Sequence, residues 1–384
     1  MEQQNEKIRE AVESFRQEML DFWKDLINFQ AGSKEKERMQ TLMEKVSVYL
    51  QKLGLESELV ESGAVPLIRA WSGKGRAGQP ILLSGHLDTV FPDGSYPEDP
   101  FTIKKGKAYG PGVCDMKGGI VMAVYLAKVL EKIGYDRHSI KLLFVPDEEI
   151  THQGSQADRL LAEEAQGCLC AFNLETGRMD DCLTVGRKGC MDVWITVHGK
   201  AGHVGNAYAS SANAIEEMAH KIIALRALTD LEKGRIVSTD IISGGTVSNA
   251  VADTCRIEVD CRYDYNEDKD ALEKAIRAIC AETHVPGTRT EVEFPAFMPV
   301  FERTEGNDRL LDLVNQAAAE FGLPAFGAAH PGGCSDASFM AQAGIPILDS
   351  VGVKGDGAHT LQEYAIVETM FERTMLLAAA ICRL

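Results

Sequence analysis

The sequence predicts an α/β protein: a mixed open sheet with helices on both faces, into which a smaller α+β domain of ferredoxin-like type is inserted. Three observations predict it. Short apolar runs alternate with helical patterns in the first half and at the end of the chain, as in a sheet covered on both sides. The texture changes near Gly186 to half-polar, alternating strands. Buried-type segments return after about residue 299. The boundaries follow: a first domain from 1–184 and 299–384, and an insertion over 185–298.

The elements read in order. Phe15, Met19, Phe22, Leu26 and Phe29 fall at helical spacing, as do Leu42, Val46, Tyr49 and Leu53, so residues 1–54 form two amphipathic helices that stop at Gly54. Ile81-Leu82-Leu83 is a buried strand that ends in a loop at Ser84-Gly85-His86. Gly118 to Leu130 is a helix, and Ile140 to Val145 a second buried strand. In the insertion, Met191–His198 and Thr254–Arg262 alternate strictly, and 211–228 and Leu272–Ile279 fit helices. That order gives an open sheet with helices on one face.

Composition narrows the function. The 384-residue chain carries 57 acidic and 40 basic residues, a formal net charge of -17. So acidic a chain is a poor binder of nucleic acid, which needs a basic surface, and of anionic membranes. No stretch of eighteen apolar residues offers a membrane span. The ten cysteines form no C-x-x-C pair and read as reduced, small hydrophobes. The polar start, MEQQNEKIRE, has no apolar run of signal-peptide type, so the cytoplasm is the expected compartment.

Histidines and carboxylates stand at five loop-like places: His86 with Asp88, Asp115, Glu148-Glu149, Glu175 and His359. Ligands of open α/β sheets bind beyond strand ends, so these places converge on one crevice. Two imidazoles and three carboxylates suit a pair of divalent metals such as zinc, with one carboxylate bridging. Such a pair lowers the pKa of water and polarises a carbonyl. Glu148-Glu149 can supply one ligand and one general base. His-x-Asp at 86–88 fits a carboxylate orienting an imidazole ligand.

The motifs Ser84-Gly-His86-Leu-Asp88-Thr-Val, Ala108-Tyr-Gly-Pro-Gly-Val-Cys-Asp115-Met-Lys-Gly-Gly, Asp147-Glu148-Glu149, Gly332-Gly333-Cys-Ser-Asp336-Ala and Gly357-Ala-His359-Thr occur in this order. With them the chain resembles the M20 family of metallopeptidases and amidohydrolases, most closely its glutamate carboxypeptidase (carboxypeptidase G2) branch, from about residue 80 to the end. The resemblance implies two metals, zinc foremost with cobalt or manganese as substitutes. Asp115 would bridge them, His86 and Glu175 completing one site and Glu149 and His359 the other. It implies Glu148 as general base, Asp88 as support for His86, and a cis peptide bond at Asp115–Met116. The insertion resembles the family's lid, which implies a homodimer. His203, in Lys200-Ala-Gly-His203-Val-Gly, would help hold the oxyanion, and Asn249 and Gly333 would contact substrate. Arg262 matches a family position and reads as a salt-bridge residue.

Two departures stand out. Glutamate-specific relatives carry an arginine shortly before a Pro-Ala-Phe-like stretch, where this chain has Phe294. A ring does not replace a bidentate guanidinium, so glutamate preference is not expected; Arg178, Arg187 or Lys188 are other candidates for gripping a carboxylate. His152 stands where small residues are common and reads as a plain loop side chain.

The expected activity is hydrolysis of an amide bond in a small peptide or N-acyl amino acid, of carboxypeptidase type. The alternatives are a deacylase of acetylornithine or succinyl-diaminopimelate type, a dipeptidase, an inactive metal-binding regulatory protein, and a metal-free binding protein.

Overall fold

The computed structural model describes residues 2–384; Met1, first in the expected helical stretch, lies outside the described residues. The chain divides into two units, one of 1–186, 303–331 and 335–384, the other of 187–302 with 332–334.

The first unit is built on a six-stranded sheet in the order Glu56–Val60, Leu67–Ser72, His138–Val145, Gly78–His86, Cys170–Asn173, Ile347–Leu348. The last four strands run parallel, and the first two join antiparallel. Ile81, Leu82 and Leu83 are all fully buried, as are Leu142 to Val145. Consecutive buried residues mean that both sheet faces are covered, because successive side chains point to opposite faces. Each such side chain contributes about 1.5–3 kcal/mol by leaving water. The helix Lys117–Lys132 is buried along nearly its whole length and packs with Glu2–Asn28 and Val367–Ile381. The two expected N-terminal helices are Glu2–Asn28 and Lys36–Lys52, the second ending before Gly54.

Parallel strands bring their C-terminal ends to one edge of a sheet. His86 ends one strand, Glu148 follows Val145 by three residues, and Glu175 follows Asn173 by two. Here the sequence reading needs a correction: the strand does not stop at Leu83 but pairs through to His86, opposite Val145. His86 therefore sits on the strand itself, and the hydrogen-bonded ladder fixes its direction.

The second unit has an antiparallel sheet in the order Ile236–Gly244, Thr254–Tyr263, Gly189–His198, Arg289–Glu293. Its two long strands alternate buried and half-buried residues. Met191, Val193, Ile195, Val197, Ile257 and Val259 meet Met218, Leu225, Leu272 and Ile276 of the helices Ala214–Arg226 and Asn266–Ala281 in a separate core. Inside it, Lys221 is fully buried. Its ammonium pairs with Glu217 at 2.9 Å and donates to the carbonyls of Ile279 and Glu282 at 3.1 and 2.8 Å, satisfying the last turn of the second helix. The edge strands Ile236–Gly244 and Arg289–Glu293 are more than the sequence patterns had suggested.

Candidate metal centre and active site

The site begins at the strand end. His86 is 1 % exposed and Asp88 is fully buried. The Asp88 carboxylate lies 3.2 Å from His86 Nδ1, so the imidazole turns Nε2 away from it. The same carboxylate accepts the backbone N–H groups of Glu148 and Glu149 at 3.2 and 3.1 Å, and the Ser33 hydroxyl at 2.6 Å. One buried aspartate thus orients a histidine, whose Nδ1 also lies 3.1 Å from the Asp88 backbone carbonyl, and pins the turn that carries the paired glutamates.

Asp115 is the centre of the group. Its Oδ1 lies 3.2 Å from His86 Nε2, and its Oδ2 lies 3.3 Å from His359 Nε2. Each histidine has a further carboxylate of its own: Glu175 is 3.5 Å from His86 Nε2, and Glu149 is 3.0 Å from His359 Nε2. The ligand atoms of His86, Asp115 and Glu149 lie within 4.8 Å of one another, and so do those of His86, Glu148 and Glu175. The peptide bond between Asp115 and Met116 is cis.

The electrostatics follow from four carboxylates crowded into a buried cleft. Burial pushes the carboxyl of Glu148 well up, and the charges of Asp336, Glu175 and Glu149 push the same way. Burial, then Asp115, bring Glu175 to about 7. Glu149 is raised chiefly by burial. Burial works against charge on His86, yet its hydrogen bonds to Asp115, Asp88 and Glu175 win and raise it well above the usual imidazole range. His359 is raised to about 10 by its hydrogen bonds to Asp115 and Glu149. Burial would raise Asp115, but the two histidines hold its carboxyl below the usual range. The carboxylates of the set outnumber its two imidazoles. Imidazole nitrogens and carboxylate oxygens at these separations are the donor types that zinc, cobalt and manganese take, so the residues fit a divalent metal pair.

Sequence reasoning missed Glu363. It is buried, and its carboxylate accepts the backbone N–H groups of Gly112, Cys114 and Asp115 at 2.9, 2.8 and 3.1 Å, which fixes the loop carrying Asp115. Burial brings it to about 7. Its only signal was a lone acid four residues after His359. His152 requires a correction. It is not a plain loop side chain: it is 4 % exposed and bridges Asp147 and Asp336 at 2.8 Å each.

The second unit holds the other site residues named from the sequence. His203 pairs in a two-residue ladder with Ala250, and the N–H of Val204 donates to the Asn249 carbonyl, so His203 and Asn249 are neighbours. Both are exposed. The Gly205 N–H donates to His203 Nδ1 at 3.1 Å, which places the proton of the neutral ring on Nε2. The Gly333 carbonyl accepts from Arg187 at 3.1 Å. Arg262 makes a two-point pair with Asp260, 2.7 Å at each contact, as expected.

The candidates for gripping a carboxylate are already engaged. Arg178 pairs with Asp180, and Lys188 contacts Asp264 at 2.7 Å. Phe294 packs against the second unit's core with Arg277 4.5 Å from its ring centre, so it is a packing residue before it is a pocket wall.

Two histidines and four carboxylates, brought together by parallel strand ends and by the loops that carry Asp115 and His359, form the donor set of a metal-dependent hydrolase. Residues 82–383 match the model of peptidase family M20/M25/M40, and the chain belongs to that family. Carboxypeptidase G2 from a Pseudomonas species is 29% identical over 358 residues, covering 92% of this chain and 86% of that protein. A succinyl-diaminopimelate desuccinylase from Gluconacetobacter diazotrophicus is 29% identical over 334 residues, 81% of this chain and 82% of its own. Among solved structures, the aminopeptidase PepT of Bacillus cereus superposes with a TM-score of 0.78 at 20% identity, covering 95% of this chain and 98% of that one. An M20 family metallo-carboxypeptidase from Sulfolobus solfataricus gives 0.77 at 16% identity, over 95% and 98%. The expectation of an M20 enzyme on a mixed α/β fold is borne out.

Proposed function

We propose that this chain is a carboxypeptidase-like exopeptidase that hydrolyses an amide bond of a small peptide or N-acyl amino acid. The carrying observation is that the two oxygens of Asp115 face two different histidines, each with its own second carboxylate. His86 and Glu175 would hold one metal, Glu149 and His359 the other, and Asp115 would bridge. Zinc is the first choice, with cobalt or manganese able to replace it. When bound, the metals supply Lewis acidity toward a carbonyl and a lowered pKa for water.

The chain's own residues do the rest. Glu148 takes the proton of the attacking water and later gives it to the leaving amine. Burial raises the proton affinity of its carboxylate above that of a free one, which suits a group that must accept a proton. Asp88 keeps His86 oriented. His203 is proposed as an oxyanion donor through Nε2–H, an effect worth roughly 2.7–4 kcal/mol when such a donor is removed. Asn249 and Gly333 are proposed substrate contacts, and 185–298 a lid that also forms a homodimer. All ten cysteines are free, which fits a reducing compartment such as the cytoplasm.

A second reading, deacylation of a succinylated or acetylated amino acid, is favoured by the similarity to the desuccinylase. A panel of N-acyl amino acids and dipeptides assayed with zinc separates the two by the acyl group preferred. The test of mechanism is Glu148→Gln. It should retain both metals and lose at least about 10²-fold in kcat; near-native turnover would remove Glu148 from the role.

A further inference from the structure

We infer that His152 is a positioning residue for hydrolysis, clamping the Glu148-Glu149 turn to the loop that carries Asp336. The inference rests on the roles proposed above for those glutamates. Three observations carry it. First, the bridge is short at both ends: Nδ1 lies 2.8 Å from Asp147 Oδ1, and Nε2 lies 2.8 Å from Asp336 Oδ1. Both contacts are to carboxylates, so both ring nitrogens donate, and one imidazole ties two segments 184 residues apart in sequence.

Second, the turn needs holding. Thr151 and His152 both adopt left-handed backbone, with φ of 52° and 54°. Two such residues in a row, one of them β-branched, are unfavourable unless their surroundings enforce them. The backbone N–H of His152 donates to the Asp147 carbonyl at 3.0 Å, so Asp147 holds this residue by main chain and side chain alike. Asp147 immediately precedes Glu148, and the turn therefore closes as one block around the paired glutamates.

Third, the environment leaves Asp336 dependent on the bridge. It is 2 % exposed, and its other oxygen, Oδ2, is buried with no hydrogen-bond partner among the described residues. Phe339, one turn further on, packs edge-on to the imidazole at 5.5 Å between ring centres. Removing the imidazole leaves a buried carboxylate facing the same cleft as Glu148, where like charges repel. The turn would then relax away from Asp336 and carry Glu148 with it. Small displacements of a catalytic group cost turnover more than substrate affinity.

The experiment compares His152→Gln with wild type as full-length, zinc-loaded protein, on the best substrate of the panel above. Three quantities are read: kcat and KM, bound zinc per chain, and amide hydrogen exchange across residues 147–155. The expected result is a kcat lower by at least about tenfold with KM within about twofold. Bound zinc should be retained, and exchange should rise in 147–155 but not in the core strands. An unchanged kcat, or a lower kcat with unchanged exchange in that turn, would overturn the inference. If His152→Gln does not fold, Asp336→Asn tests the same contact from its other end against the same criteria. Glu148→Gln run in parallel separates the two levels: an active Glu148→Gln sinks the proposed mechanism, whereas an inactive one beside a native-like His152→Gln sinks only the clamp.

Discussion

His86 and His359, proposed to hold one metal each, differ widely in exposure. Each places Nε2 beside one oxygen of Asp115, yet the first side chain is 1% exposed and the second 55%. Burial slows the approach of competing ligands, and a rigid strand end resists the local opening that would let an ion out. The two metals should therefore leave at different rates. Dilution of the zinc-loaded enzyme into a chelator, followed by a colorimetric zinc indicator, should show two phases of about one equivalent each. His359→Ala should abolish the fast phase, and its survival would assign the exposed site to other residues. At this scale the sequence was informative where a residue brings its own chemistry. His86, Asp115 and His359 are legible because they stand in an ordered set of motifs, although each alone would read as structural. Glu363 and His152 were not, because each works through backbone amides or carboxylates that only the fold brings near.

Elements decide how well those side chains are aimed. The helix Lys117–Lys132 starts directly after the cis bond and lies against the segment leading to Glu175. Gly119 makes that approach possible: a Cβ there would stand 1.9 Å from the Leu174 carbonyl oxygen, a backbone atom that cannot swing aside. Gly119→Ala should therefore push the Leu174-Glu175 segment away from His86. We expect a loss of about 1–3 kcal/mol in stability, as for other overpacked sites, measured by urea denaturation. Zinc bound through Glu175 should weaken at the same time, while Asp115 and His359 are untouched. Full stability and full zinc affinity in this variant would mean that the helix does not set the position of Glu175. The sequence shows the helix clearly through its apolar spacing. It shows the close approach only as two adjacent glycines, whose purpose is invisible until Leu174 is seen opposite.

Across the whole molecule, two units with separate cores divide the labour that the sequence lists in one line. The apolar runs at 81–83 and 140–145 and the alternating strands at 191–198 and 254–262 were readable because burial on two faces and on one face leave different periodicities. The edge strands Ile236–Gly244 and Arg289–Glu293 were not, because one side of each lacks a neighbour and their patterns are largely polar or exposed. The formal charge of -17 gains a partial local explanation in the cluster of carboxylates at the strand ends. No helix among the described residues is long and apolar enough to cross a membrane.

The most direct measurement is anomalous diffraction at the zinc edge from crystals of the zinc-loaded protein. Two peaks about 3.5–4 Å apart are expected, one on each oxygen of Asp115, with His86 and Glu175 around one and Glu149 and His359 around the other. A single peak, or two peaks that do not share Asp115, would contradict the account.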